Sequence, residues 1–249
     1  MDITSIETAK PFPNIAGGFR GDTLWKRHGG GMKHKSAFLA VIAAVTVFGA
    51  VEAPTALAAM PAAEAWEIGP RIRGRNYSVG MPAHPSPGPR GTLVMDFPIA
   101  GSGQVDALTT AVGPLAGARA ITLRYRVDAT RGTRFVADET PDQAATVSLY
   151  FQQAGDSWSG SGRFASYRWY APGRAVIPLT PGEHTVIVRL DETWTNVDGQ
   201  PSHAAPAGFA VALRNTARIG LAFGSLSRRS HGVYATGPAR FTLRSLAIE

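Results

Sequence analysis

The chain has 249 residues, with 25 Lys+Arg against 18 Asp+Glu and no cysteine. The missing cysteine excludes a disulfide framework, a thiol nucleophile, Cys-ligated zinc or iron–sulfur centres, and a lipoprotein anchor, which needs a cysteine just after its signal. The formal charge of +7 raises the question of nucleic acid, but from Trp66 onward the bases are 19 arginines and no lysine, dispersed among 13 carboxylates. Dispersed charge does not form a stripe that tracks a phosphate backbone, so no nucleic-acid partner is expected, and the surplus favours an acidic partner of another kind.

Residues 1–31 are Gly-rich and without apolar period, and they read as a leader or non-native extension ahead of a true start at Met32. Met32-Lys33-His34-Lys35 is a short basic stretch, and Ala37–Val51 is an uncharged apolar run of the length a signal peptide uses. Ala56-Leu57-Ala58 and Ala63-Glu64-Ala65 are two small-x-small cleavage candidates, so residues 32–65 are expected to be a helical signal peptide cut after Ala58 or Ala65. Glu52 and Pro54 stop the apolar run short of the roughly 20 residues a membrane span needs. The expectation is a periplasmic or extracellular protein with no membrane span after cleavage.

From Trp66 the pattern changes to short runs of β-branched and aromatic residues separated by Gly and Pro. Thr92–Ile99 and Gln104–Val112 read as two strands paired around Gly101-Ser102-Gly103. Ala120–Asp128 alternates, with Ile121, Leu123, Tyr125 and Val127 on one side and Thr122, Arg124, Arg126 and Asp128 on the other. Thr146–Gln153 repeats this, with Val147, Leu149 and Phe151 opposite Ser148, Tyr150 and Gln152. Further strands are expected at Ala165–Tyr170, Arg174–Leu179, His184–Leu190, Phe209–Leu213, Ile219–Phe223 and Arg240–Ile248. About nine to eleven short strands with no helix predict one all-β domain over residues 66–249, a β-sandwich or jelly roll. A chain of roughly 180 residues buries enough surface to hold one core without staples.

Three strand motifs carry a resemblance. Leu115-Ala116-Gly117 before Ile121-Thr122-Leu123-Arg124 is similar to the entry of galactose-binding-like jelly rolls. Gly182-Glu183-His184-Thr185 leading into Val186–Leu190, then Trp194 and Gly199, is similar to their late strand and aromatic loop. Gly237-Pro238 before Phe241-Thr242-Leu243 and Ile248 resembles their closing strand, although Ala239 and Arg240 intervene. The pattern also occurs in family 11 carbohydrate-binding modules and complex-I-assembly-factor-30-like domains. It spans roughly residues 92–249 and implies a fold more than a function.

Trp158, Phe164, Tyr167, Trp169 and Tyr170 crowd one segment, with Tyr150 on a neighbouring strand. Sugars present apolar C–H faces ringed by hydroxyls, so a glycan site wants aromatic platforms beside fixed donors and acceptors. If strand 120–128 lies beside strand 146–153, Arg124, Arg126, Tyr150 and Gln152 share one outward face, with Trp169 or Tyr170 stacking at its end. Two arginines there would hold a carboxylate or sulfate bidentately. The plainer alternative is that this face is solvated and Trp169 belongs to the core. The leading expectation is a secreted, non-catalytic module whose partner is an acidic polysaccharide or cell-envelope glycan.

Catalytic signals are thin. Glycoside hydrolysis needs two facing carboxylates ~5–10 Å apart, whereas Asp191 and Glu192 are consecutive. No cofactor is expected. The loops bearing Asp138, Glu139 and Asp142, or Asp191, Asn196 and Asp198, could hold a structural calcium but lack a defined ligand spacing. His84, His184, His203 and His231 show no metal-ligand spacing, and no nucleophile elbow, P-loop or dinucleotide fingerprint occurs. A polysaccharide lyase on the same fold is the second expectation, with Arg124, Gln152, Tyr150 and His231 supplying the residue types. A structural envelope or protein-interaction domain is the third.

Overall fold

The computed structural model describes residues 60–249; the leader reading of residues 1–31 and the signal-peptide reading over residues 32–59 lie outside them. A 3-10 turn, Ala63–Ala65, leads into β1 (Trp66–Gly69), β2 (Arg71–Ile72), β3 (Arg75–Asn76), β4 (Ser86–Pro87) and β5 (Leu93–Asp96). Next come β6 (Ala107–Ala111), β7 (Ala120–Ala129), β8 (Phe135–Ala137), β9 (Thr146–Gln153), β10 (Arg168–Tyr170) and β11 (Ile177–Pro178). Then follow β12 (Gly182–Arg189), β13 (Thr195–Asn196), helix α1 (Pro206–Arg214), β14 (Thr216–Gly224), β15 (Val233–Ala235) and β16 (Ala239–Ile248).

Two antiparallel sheets make an all-β sandwich. One is seven-stranded, in the order β1-β6-β14-β9-β10-β13 with β11 also on β9; the other is five-stranded, in the order β12-β7-β16-β5-β4. Period-2 alternation sends one side of each strand between the sheets. Ile121, Leu123 and Val127 on β7, Val186 and Val188 on β12, Val147, Leu149 and Phe151 on β9, and Leu221 and Phe223 on β14 are all buried in one core. Phe223 of the larger sheet meets Phe241 of the smaller one edge-to-face at 5.5 Å, and Phe97 joins both. Among the described residues no helix is long and apolar enough to cross a membrane.

The structure differs from the sequence expectation in four places. Residues 92–99 and 104–112 are not a hairpin: β5 pairs with β16 and β4, whereas β6 pairs with β1 and β14. The segment between them crosses from one sheet to the other, turning at Gly101 (φ 82°) and Gly103 (φ 137°); a Cβ on Gly103 would lie 1.9 Å from the Val79 carbonyl oxygen. Strands β7 and β9 are not neighbours either, since β7 lies between β12 and β16 and β9 between β14 and β10. Phe209–Leu213 belongs to α1, not to a strand. Pro206 at its first turn suits a helix start, and Phe209, Ala212 and Leu213 follow helical spacing, with Phe209 against Trp169 at 4.9 Å and Phe151 at 6.0 Å. Residues 165–170 and 174–179 also begin as 3-10 turns, and only β10 and β11 are extended.

Candidate functional site

The outward side of the seven-stranded sheet is not solvated in the ordinary way. Every residue of β9 is buried, including the outward-pointing Ser148, Tyr150 and Gln152. Register places Thr109, Gly220, Tyr150 and Tyr170 in one row across four strands, with Ala107, Ala222 and Ser148 in the row beside it. Small side chains on β6 and β14 leave room for the tyrosines. At Gly220 a Cβ would come within 2.9 Å of the Tyr150 ring and 2.5 Å of the Leu108 carbonyl oxygen, so only glycine fits beneath that ring. The Tyr150 hydroxyl is hydrogen-bonded to Thr109 Oγ1, and burial pushes the phenol's pKa upward.

The loop after β9 folds back over this face. Asp156 Oδ2 accepts hydrogen bonds from Gln152 Nε2 (2.7 Å) and Arg168 Nη1 (3.1 Å), while Oδ1 accepts from the Trp158 backbone N–H (3.0 Å). Both members of the Arg168–Asp156 ion pair are nearly fully buried, at 3% and 2% exposure. Trp158 is held in the left-handed region (φ 62°), an uncommon conformation for tryptophan. Its ring meets Tyr150 edge-to-face at 5.7 Å and lies under the Arg168 guanidinium at 4.0 Å. The result is an aromatic wall capped by a cation.

The β14–β15 loop forms the opposite side. Arg229 Nη1 donates to the Ala171 carbonyl (2.8 Å) and Thr195 Oγ1 (3.4 Å), and its guanidinium lies 5.6 Å from the Tyr170 ring centroid. Its partners are neutral, and no carboxylate pairs with it among the described residues. Burial lowers its pKa. Two residues on, His231 Nδ1 stands 2.9 Å from Glu139 Oε1. At the edge of β6, Asp106 donates its backbone N–H to Ser78 Oγ (2.8 Å) while its carboxyl is buried. Desolvation, with smaller contributions from the neighbouring Asp138 and Glu139, raises that carboxyl from 3.8 to about 8, against a hydrogen bond from Gln104 that lowers it.

Between these walls runs a groove of about 1340 Å³. Six arginines line it (Arg71, Arg73, Arg75, Arg168, Arg228 and Arg229) against three carboxylates, Asp106, Glu139 and Asp156. Asp156 is taken up by Arg168, and Glu139 by His231. Six buried side-chain polar atoms among the described residues have no hydrogen-bond partner within the protein. Five of them, Asp106 Oδ1, Ser148 Oγ, Gln152 Oε1, Arg168 Nε and Ser230 Oγ, belong to residues of this face or its flanking loops. Folded proteins pair almost all such atoms, and five of the six that lack a partner here sit beneath this face or in the loops beside it.

No family model matches this chain, and no curated protein matches it. One solved structure, described under endo-acting O-glycanases that prominent members of the human gut microbiota express to initiate mucin breakdown, is similar at 11% identity and a TM-score of 0.37. The match covers 77% of this chain and 94% of that one. An overlap of this quality assigns neither residues nor a substrate.

The residues expected from sequence are divided between the two outer faces and the core. Tyr150, Gln152 and Tyr170 lie on the groove side of the seven-stranded sheet. Arg124 and Arg126 lie on β7 in the other sheet, so the expected shared face does not form. Arg126 is engaged there with Asp128 (2.6 Å) and Glu183 (3.2 Å), within a lattice that includes Arg244–Glu183 and Arg240–Asp96. Trp169 is fully buried in the core, and its register partner is Phe151. Arg168, which alternation alone would have placed beside Tyr170, was missed, as were Asp156, Asp106 and Arg229. Only their position across the sheet distinguishes them. Among the described residues no three His, Cys, Asp or Glu side chains gather where calcium was considered; Glu139 faces His231, and Asp191 pairs with Arg189 at 2.6 Å.

Proposed function

We propose that this domain binds an acidic polysaccharide along the groove of its seven-stranded sheet. The observation that carries the reading is Arg229, a partly buried guanidinium beside the Tyr170 ring whose hydrogen-bond partners are all neutral. A cation left without a counter-charge in a groove where arginines outnumber carboxylates favours a ligand carboxylate or sulfate. Trp158 and Tyr170 supply apolar faces for sugar rings, and the exposed Ser157, Ser159 and Arg228 of the same lining supply donors and acceptors for hydroxyls. The signal-like segment at residues 32–65 supports export, which suits a partner among extracellular or cell-envelope glycans.

Titration calorimetry with polygalacturonate, alginate and hyaluronan at two salt concentrations tests this. Arg229→Ala should lower affinity and flatten the salt dependence, because its contribution is an ion pair that salt screens. Tyr170→Ala should lower affinity and leave the salt slope unchanged. Arg124→Ala, on the opposite outer face, should bind like wild type. Loss of binding in the Arg124 variant with none in the Arg229 variant would move the site to the five-stranded sheet.

A further inference from the structure

We propose that the groove also cleaves its glycan by β-elimination at a uronate, with His231 as the base and Arg229 as the group that holds the uronate carboxylate. This rests on the acidic-glycan reading above and adds an activity to it. Elimination next to a carboxylate needs three things: a cation on the carboxylate, a base at the adjacent carbon, and a proton for the departing oxygen.

The lining of the groove includes a candidate for each, two of them on one loop at Arg229 and His231. Arg229 is a partly buried cation of this lining that no carboxylate of the described residues engages. His231 Nδ1 is held 2.9 Å from Glu139, which keeps the ring proton on Nδ1 and leaves the Nε2 lone pair free to accept one. Ser230 between them adopts φ 63°, a left-handed turn in a non-glycine residue, and both flanking side chains line the same groove. Tyr170, its ring 5.6 Å from the Arg229 guanidinium, belongs to the same lining and is the phenol nearest that cation. Asp106 lines this region as well, and a carboxyl that keeps its proton to about pH 8 does not repel an anionic sugar.

In the step, the C5–H bond breaks and its proton passes to His231 Nε2. The electron pair forms the C4=C5 double bond, the C4–O bond breaks, and the departing oxygen takes the Tyr170 hydroxyl proton. Solvent returns the imidazolium proton to the tyrosinate, and no water, oxidant or reductant is consumed. Hydrolysis fits the same groove less well, since it needs two free carboxylates across the scissile bond. Asp156 is committed to Arg168 and Gln152, and Glu139 to His231, which leaves Asp106 alone.

The test uses the full chain with polygalacturonate, alginate and hyaluronan, reading calorimetric binding, ultraviolet absorbance of the conjugated double bond, and reducing ends. One double bond per new reducing end is expected with the polysaccharide that binds. His231→Ala should lower that rate by about 10²–10⁴-fold, the usual contribution of a positioned base, while binding persists. Glu139 is a positioning residue, so Glu139→Gln should lower kcat with KM unchanged. Binding without absorbance, reducing ends without absorbance, or a wild-type rate in His231→Ala each overturns the elimination and leaves the binding reading standing. Failure of every probe to bind overturns both.

Discussion

The buried Arg168–Asp156 pair is the joint on which the groove wall depends, and Asp156→Ala is the perturbation that isolates it. Asp156 satisfies three donors: the Arg168 guanidinium, the Gln152 amide and the Trp158 backbone N–H. Removing its carboxylate leaves a guanidinium of 3% exposure without a counter-charge, which costs about 3–5 kcal/mol in such sites. For a domain of this size each kcal/mol is about 2–4 °C in Tm, so the variant should melt about 6–20 °C lower. The Asp156→Ala/Arg168→Met double variant removes both charges and places an apolar chain against the Trp158 ring, which Arg168 now covers at 4.0 Å. It should recover most of the loss, because a buried pair contributes little net stability over an apolar replacement of similar volume. Urea unfolding followed by tryptophan fluorescence measures all three proteins. A single variant within about 1 kcal/mol of wild type, or a double variant no better than the single, would refute the view that an uncompensated charge is what Asp156 prevents.

Leu149→Ala, a fully buried position on β9, should cost about 2–5 kcal/mol in the same assay; a loss under about half a kcal/mol would contradict its burial. Asp106 makes stability depend on pH. The folded carboxyl keeps its proton to about pH 8 while an unfolded one releases it near 3.8, so unfolding liberates a proton in that window. Wild-type stability should therefore fall as pH rises from about 4 to about 8 and level off above, and Asp106→Asn should lose less over that range. Equal pH profiles for the two proteins in urea titrations would remove Asp106 as the cause. Cleavage of the signal is expected after Ala58 and not after Ala65. A cut at Ala65 would strip away Ala63, which is buried, and the Pro61 carbonyl that accepts the Trp66 indole N–H at 3.3 Å. Mass spectrometry of exported protein beginning at Trp66 would contradict this.

Alternation along a strand is a local property, and it was legible without any structure. Ile121, Leu123 and Val127, then Val147, Leu149 and Phe151, were assigned to the core by period alone, and they are there. The same period put Arg124, Arg126, Tyr150 and Gln152 on outward sides, which is also where they lie. What period cannot state is which sheet a strand joins, because pairing is made by residues far away in sequence. An outward phase therefore means two opposite surfaces of the sandwich. On the five-stranded sheet it leads to an ion-pair lattice in water, and on the seven-stranded sheet to a groove roofed by the loop that carries Asp156 and Trp158. Phe209–Leu213 shows the same limit on a smaller scale, since a five-residue apolar run fits a strand or one helical turn, and contact with Trp169 and Phe151 decides between them. Asp106 and Arg229 carried no sequence signal, because their character comes from desolvation and from missing partners. Only the packed structure creates those conditions.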